Sequence, residues 1–325
     1  MGKAPRKEIF MSLKQDVLKR LSESGGYISG ERLAEQFGKS RAAVWKAVKA
    51  LQKEGYEIES TTNKGYRLAK APAALSAEAI GAAMRHRIRI ECLESVDSTN
   101  SLAKRMIANG DDENEPMLIT ADRQTAGRGR QGKSFYSPAG TGIYMSLVLH
   151  PNADLQNAVT ATTAASVAVC KAIERLTDIK PKIKWVNDVY VNGQKICGIL
   201  TEAVSDFESG TVTSVIIGIG INISTSDFPS DIENAGCLNS DVNRNELAAA
   251  VADELLELSL GNYDDFIDYY ISRSMILGCK INYIEKGVST AATAVSIDKT
   301  GGLTVEKENG ERVTLRSGEI SIRKQ

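Results

Sequence analysis

One dipeptide constrains the middle of the chain more than any other. In IKWVNDVYVNGQKICGILTEA, Asn192-Gly193 is flanked on both sides by alternating residues. Asn-Gly between such runs is the strongest short signal for a two-residue hairpin, because both turn positions need a left-handed backbone. Pairing outward from the turn sets Tyr190 opposite Lys195 and Asp188 opposite Cys197. Read as one unbroken strand, Lys184, Val186, Asp188 and Tyr190 share a face with Lys195, Ile199 and Thr201. Lys184 then lies about 20 Å along from the partner of Lys195, at roughly 3.3 Å per residue. Two readings stay open: the lysines hold opposite ends of an elongated ligand, or the face is ordinary surface with an Asp188–Lys195 ion pair.

The segments around this hairpin suggest a sheet with helices. MLITADRQT and GIYMSLVLH are strand-like, and SVIIGIGINIS is apolar enough to be a buried strand. Gly218 and Gly220 leave one face of that strand bare, with room for a flat ligand or another backbone. ADLQNAVTATTAASVAVCKAIERL predicts a long buried helix. NELAAAVADELLELS and YDDFIDYYISRS predict helices over the other sheet face, and STSDFPSDIENAG a loop able to act as a lid. DSTNSLAKRMIANG predicts a helix entered through Ser98, Thr99 and Asn100. These three either cap the helix or meet a polar ligand.

Between two of the strands lies QTAGRGRQGKSF, residues 124–135. Its glycines let backbone N–H groups approach an anion and its cations neutralise one. It is neither the GxxxxGK[ST] phosphate loop nor the GxGxxG dinucleotide fingerprint. On composition alone, phosphate grip, nucleic-acid contact and surface turn are equal.

The first seventy residues read differently. They hold 15 Lys and Arg against 8 Asp and Glu, while the whole chain has a formal net charge of -1. Such asymmetry points to a polyanionic partner for this segment. SLKQDVLKRLSES, SGERLAEQFG and SRAAVWKAVKALQKEG each carry apolar residues at helical spacing. Ser29 and Ser40 stand as N-caps, and Gly25, Gly38 and Gly55 as stops. YEIESTTNKGYRL follows as a hairpin around Asn63-Lys64-Gly65. The whole is a helix-turn-helix with a wing, which predicts DNA contact through Ser40, Arg41, Lys46 and Lys64. A small helical unit used for protein contacts is the competing reading. A linker is expected at about residues 69–74, AKAPAA.

Length and composition bound the rest. A chain of 325 residues is expected to hold two or three domains. No apolar run reaches the roughly 18 residues of a membrane span, and no apolar stretch follows MGKAPRKEIF, so neither a span nor a signal peptide is expected. Five scattered cysteines argue against a disulfide framework and fit a reducing cytoplasm. Two histidines, His86 and His150, leave little for a His-rich zinc site or a Ser-His-Asp hydrolase.

In order, DSTN, RQTAGRGRQGK, KWVNDVYVNGQKICGIL and IGIGIN resemble the motifs of the biotin–protein ligases. With the winged segment, the chain resembles the bifunctional type, biotin ligase and biotin-operon repressor in one. The resemblance spans essentially the whole chain. It implies an α+β, multidomain protein: a winged helix-turn-helix over 1–70, a central mixed sheet with helices of biotin/lipoate-ligase type over 75–275, and a small SH3-like β-barrel over 277–325. The tail's short alternating segments, with turns at Asp298–Gly302 and Asn309-Gly310, suit the last of these.

The implied reaction uses biotin and ATP with Mg²⁺. It forms biotinyl-5′-adenylate, then passes biotin to a lysine of a biotin carboxyl carrier protein. The adenylate would serve as corepressor, favouring a homodimer on operator DNA. Carried over motif by motif, Ser98, Thr99, Asn100 and Gln124 contact biotin, and Arg128, Gly129 and Arg130 form a ligand-ordered flap. Lys195 sits at the acyl-phosphate junction with Lys184 as a further catalytic cation. Gly198 and Asn222 bind substrate, and the 223–240 loop flanks the adenylate. No metal site is assigned, with Asp188 as the only candidate. Val186 stands where the family usually has proline, and Lys133 and Phe135 where relatives often have arginine and tryptophan. A biotin-sensing regulator without catalysis, and a lipoate or octanoate ligase, are the alternatives.

Overall fold

The structure, a computed structural model, describes residues 12–70, 74–111, 115–150, 158–205, 210–260, 264–285 and 288–322. The basic start at 1–10, the middle of the expected linker and the first residues of the helix expected from Ala153 lie outside the described residues.

Local signals build the first unit. Helices α1 (Leu13–Ser24), α2 (Gly30–Phe37) and α3 (Arg41–Lys53) are each capped by a serine: Ser12, Ser29 and Ser40. Gly25 and Gly38 end the first two in the left-handed conformation. Strands β1 (Glu57–Thr61) and β2 (Gly65–Lys70) form the wing. Val17, Leu18, Leu21, Leu33, Val44, Val48, Leu51 and Ile58 make a core of their own. Gly65 fastens the wing: its φ is +95°, and a Cβ there would collide with the Ile28 carbonyl. That approach lets Ile28 and Tyr66 exchange two backbone hydrogen bonds of 2.8 Å.

Next come α4 (Ala77–Ala83) and β3 (Arg89–Val96). The seven-residue α4 is a joint. Ala79 and Ala82 pack into the N-terminal core, while Ile80 and Met84 enter the central one. Lys14 pairs with Glu54 and Glu78, and Tyr56 meets Ser76.

The central unit continues through α5 (Thr99–Ala108), β4 (Met117–Gln124), β5 (Gly142–Leu149), α6 (Ala158–Leu176), β6 (Lys182–Lys184), β7 (Asp188–Val191), β8 (Gln194–Ser205), β9 (Val212–Asn222), α7 (Arg244–Leu260) and α8 (Asp264–Arg273). The sheet order is β3-β4-β5-β9-β8-β7-β6, with only β3 and β4 parallel. Strict alternation divides its two faces. On β9, Val215, Ile217, Ile219 and Ile221 join Ala165, Val169, Val251 and Leu255 of α6 and α7 in the main core. Ile216 faces α5 with Met117, Ile119 and Val148. Asn245, at the first turn of α7, accepts from Ser76 N and donates to the Ala74 carbonyl, fixing the approach to α4.

The last unit is a five-stranded antiparallel sheet. It comprises β10 (Lys280–Glu285), β11 (Val288–Ile297), β12 (Leu303–Lys307), β13 (Arg312–Leu315) and β14 (Glu319–Ile322), in the order β13-β12-β11-β10-β14. The expected turns are present: Asp298 N bonds to the Gly302 carbonyl, and Gly310 has φ +82°. Trp185 donates its indole N–H to the Gly301 carbonyl at 2.8 Å, tying this sheet to the central one.

Gly65→Ala places a side chain in a left-handed, occupied position. It is expected to destabilise the N-terminal unit by about 1–3 kcal/mol, read as an earlier thermal transition, while the central unit's transition is unchanged.

Candidate functional site

The Asn192-Gly193 hairpin forms, but two irregularities rearrange what it carries. A β-bulge lies between Val189 and Tyr190 on the β7–β8 ladder, so Tyr190 faces Lys195 while Asp188 faces Gly198, not Cys197. One extra residue inverts side-chain parity beyond it. Ile199 therefore turns into the main core, and Thr201 meets Thr162 of α6 at 2.8 Å. Neither shares the face of Asp188, contrary to the unbroken-strand expectation.

The second irregularity is a turn at residues 185–187, where the Trp185–Val186 peptide is cis. It folds β6 back on β7, pairing Lys184 with Asp188 and Lys182 with Tyr190. The expected 20 Å separation of the lysines assumed one straight strand and does not hold. Lys184 Nζ lies 5.8 Å from the Tyr190 ring centroid, and Lys195 Nζ is 2.7 Å from Asp188 Oδ1. Both lysines border one cavity.

That cavity, of about 680 Å³, is lined by Ser98, Thr99, Asn100, Gln124, Arg128, Gly129, Arg130, Lys184, Asp188, Lys195, Gly198 and Asn222. Every catalytic and substrate residue expected from the sequence thus meets in one place. It also takes in the expected lid, through Phe228 and residues 231–235, and two positions of the last sheet, Gly318 and Ile320.

The floor is a buried polar chain. Ser146 of β5 lies 2.7 Å from Thr99 Oγ1 and 2.6 Å from Asn100 Oδ1. Gln124 accepts from Thr99 N at 2.9 Å and donates to Ser137 at 2.9 Å. Ser98 caps α5 and also lines the cavity, so the cap residue borders the open space. Gly218 and Gly220 do leave the sheet bare, but protein fills the space. A Cβ at Gly218 would strike the Asn100 amide, and one at Gly220 the Phe135 ring. Phe135 in turn meets Tyr144 edge-on, with centroids 6.3 Å apart.

The glycine-rich loop is a compact turn. Gly129 N donates to the Lys133 carbonyl at 2.7 Å and Phe135 N to the Gly127 carbonyl at 2.9 Å, around a 3₁₀ turn at Arg130–Gly132. Its cations are aimed inward by partners. Arg130 donates to Asn187 Oδ1 at 3.0 Å, and Arg128 lies 3.4 Å from Glu202 Oε1. Glu202 also accepts from Lys104 at 2.7 Å and from Asn100 at 2.9 Å. Burial raises its carboxyl, but the Lys104 and Asn100 hydrogen bonds and the Lys104 and Arg128 charges outweigh that and hold it below the ordinary value.

The 223–240 segment is pinned at its far end. Lys195 N donates to the Asn234 carbonyl, Gly236 N to the Lys195 carbonyl and Leu238 N to the Asn222 carbonyl. Asn222, 5% exposed, donates to Gly236 O while its Oδ1 has no hydrogen-bond partner among the described residues. Nearer the mouth, Phe228 meets Tyr136 edge-on with centroids 6.3 Å apart.

Ser40, Arg41, Lys46 and Lys64 lie apart from this cavity, on the exposed side of α3 and at the wing turn. Ser40 is spent on the cap, accepting from Ala43 N at 3.2 Å. Lys64 Nζ lies 5.7 Å from the Tyr27 ring centroid. Asn187, Ser146, Glu202, Gly318 and Ile320 were not foreseen as site or supporting residues. Of these, Glu202 left a local trace, as the one acid on β8.

The mixed sheet and its cavity define a ligase of the biotin/lipoate class: residues 92–222 match the biotin/lipoate A/B protein ligase family, and residues 14–67 match an HTH domain. The chain is 35% identical to the bifunctional ligase/repressor BirA of Bacillus subtilis (strain 168), covering 92% of this chain and 95% of that protein. Against BirA of Escherichia coli (strain K12) the identity is 30%, covering 93% and 95%. The solved biotin protein ligase from Aquifex aeolicus in complex with biotin and ATP superposes with a TM-score of 0.60 at 26% identity, covering 74% of this chain and all of that one. The chain belongs to the bifunctional ligase/repressor family of biotin–protein ligases.

Glu202 holds Arg128 only while ionised. Its folded carboxyl lies below the ordinary value, so the anchor is complete above that value and is lost as pH falls through the lowered one. Tryptic cleavage at Arg128 in the ligand-free protein is therefore expected to owe no change to Glu202 between pH 8 and 6. Glu202→Gln is expected to raise it about two- to fivefold, as for a half-exposed ion pair.

Proposed function

We propose that the chain is an ATP-dependent biotin–protein ligase that forms biotinyl-5′-adenylate, transfers biotin to a lysine of a carboxyl carrier protein, and represses transcription with the adenylate as corepressor. The observation that carries this is the convergence of Lys184, Lys195, Arg128 and Arg130 over a neutral polar floor. Such a site suits a ligand with a neutral polar head and a polyanionic tail. Biotin and ATP are named with the superposed Aquifex ligase, and both are assigned here as substrates.

In the first step a biotin carboxylate oxygen attacks the α-phosphorus, the bond to the β-phosphate oxygen breaks, and pyrophosphate leaves. Two anions must approach, so cations fixed at their junction offset the repulsion and the charge growing in the transition state. Lys195 takes that position, with Asp188 orienting its ammonium, and Lys184 and Arg130 stand at the flanks. Gln124, Thr99, Asn100 and Ser98 hold the polar head of biotin. The adenylate lies along Gly198 and Asn222, whose free Oδ1 accepts from it. In the second step the acceptor lysine's amine attacks the acyl carbon and AMP departs. The Arg128–Gly129–Arg130 turn and the Tyr136–Phe228 contact keep water from the adenylate meanwhile.

Among the described residues no group of three His, Cys, Asp or Glu side chains could cage an ion, and Asp188 is engaged by Lys195. Mg²⁺ would enter with ATP, and the chemistry it would supply is shielding of the leaving pyrophosphate's charge. We assign DNA contact to Arg41, Lys46, Lys64 and the α3 N-terminus capped by Ser40. The working units are 1–70, 75–275 and 277–325. A homodimer forms on adenylate binding, and the protein works in the cytoplasm; among the described residues no helix is long and apolar enough to cross a membrane.

With ATP and Mg²⁺, pyrophosphate release is expected on adding biotin and not lipoate. Release with lipoate alone would move the chain to the other branch of its class, and none with either would leave a sensor. Lys195→Ala is expected to slow release by roughly 10²–10³, an unchanged rate removing it from the junction. For Arg130→Gly, the expected outcome is faster escape of adenylate and acylation of bystander lysines, measured by blotting a mixture with a non-cognate protein. Retention equal to wild type would take the closing role from that turn.

A further inference from the structure

Among the described residues of the N-terminal unit, Trp45 is the most exposed aromatic side chain, at 51%. It contributes nothing to the core of that unit, which α3 supplies through Val44, Ala47, Val48 and Leu51. Helical spacing puts Trp45 at the centre of the opposite face, between exposed Arg41 and Ala42 on one side and Lys46 and Lys49 on the other. Lys49 Nζ lies 6.0 Å from the indole centroid, so the ring is framed by charge.

From Lys39 to Lys53 there are five cations and no acid. This fixes the class of occupant. A second copy would bring the same positive face and be repelled, whereas duplex DNA offers phosphates on both sides of a groove. Phosphate contacts position a protein without reading sequence, which lies in the base edges. In the major groove the one apolar mark on those edges is the thymine C5-methyl. An indole with Ala42 beside it, rimmed by cations, is complementary to a thymine edge between two phosphate rows.

We infer that Trp45 is a base-reading residue: it packs on a thymine methyl in the major groove while Arg41, Lys46 and Lys49 take the flanking phosphates. The inference rests on the DNA-contact reading of the N-terminal unit and names the specificity determinant within it.

The test uses the full chain with biotin, ATP and Mg²⁺, and duplexes selected from a random-sequence pool. The tightest duplex is remade with each thymine in turn replaced by deoxyuridine, which lacks only the methyl group. At one position in each half-site the replacement is expected to weaken wild-type binding by about 5- to 20-fold. Trp45→Ala should bind the thymine and uracil duplexes equally, with an unchanged salt slope, and Trp45→Phe should keep part of the preference. Coincident unfolding transitions for the variants and wild type check the fold. Uracil harmless at every position, or an undiminished penalty in Trp45→Ala, overturns the assignment. So does a loss of self-association in Trp45→Ala without DNA, which would make a second copy the occupant. If wild type enriches no sequence at all, the DNA reading itself fails, and this assignment with it.

Discussion

The packing of the Asn100 amide against bare backbone at Gly218 is the contact on which the ligand side of the sheet depends. With no Cβ in the way, the first turn of α5 settles onto β9 closely enough for Asn100 to reach Ser146, Leu200 and Glu202 together. The same omission at Gly220 seats Phe135 and so brings the glycine-rich turn over the cavity. Sheet, helix start and turn become one assembly, in which protein partners aim the cations. Such preorganisation is the condition under which charge stabilises a transition state efficiently.

Around that floor the positive groups are each steadied by a partner rather than left to repel one another. Lys195 has Asp188, Arg130 has Asn187 and Arg128 has Glu202. Two of these partners are carboxylates and the third is a neutral amide, so Lys195 and Arg128 are charge-paired while Arg130 keeps its net positive charge at the cavity.

What could be read in advance followed the range of the determining interaction. The winged unit was legible almost residue by residue, because serine caps, glycine stops and the Asn63–Gly65 turn act within one or two turns of chain. The cavity's membership was legible through motif resemblance, since those motifs border one cavity. The turn at 185–187 and the bulge beyond Val189 were not: Asn187 is a turn residue, but Trp185 and Val186 before it read as strand, and no glycine or proline marks either break. The turn is held by distant partners, Ser166 and Tyr270, on the Val186 carbonyl. The seven residues of α4 are too few to announce a helix, and two cores, not propensity, keep it folded. Gly318 and Ile320 reach the cavity only because the last sheet docks there.

The joint at α4 has a consequence for geometry on a larger scale. Because one short helix contributes side chains to both the N-terminal and the central core, the reading head is mounted rather than tethered. Wherever two copies come together, the separation and angle between their α3 helices follow from how the central units meet. For the homodimer proposed above, the spacing between paired DNA sites would then be a property of the catalytic body, and an operator lengthened by half a helical turn would present its second site to empty solvent.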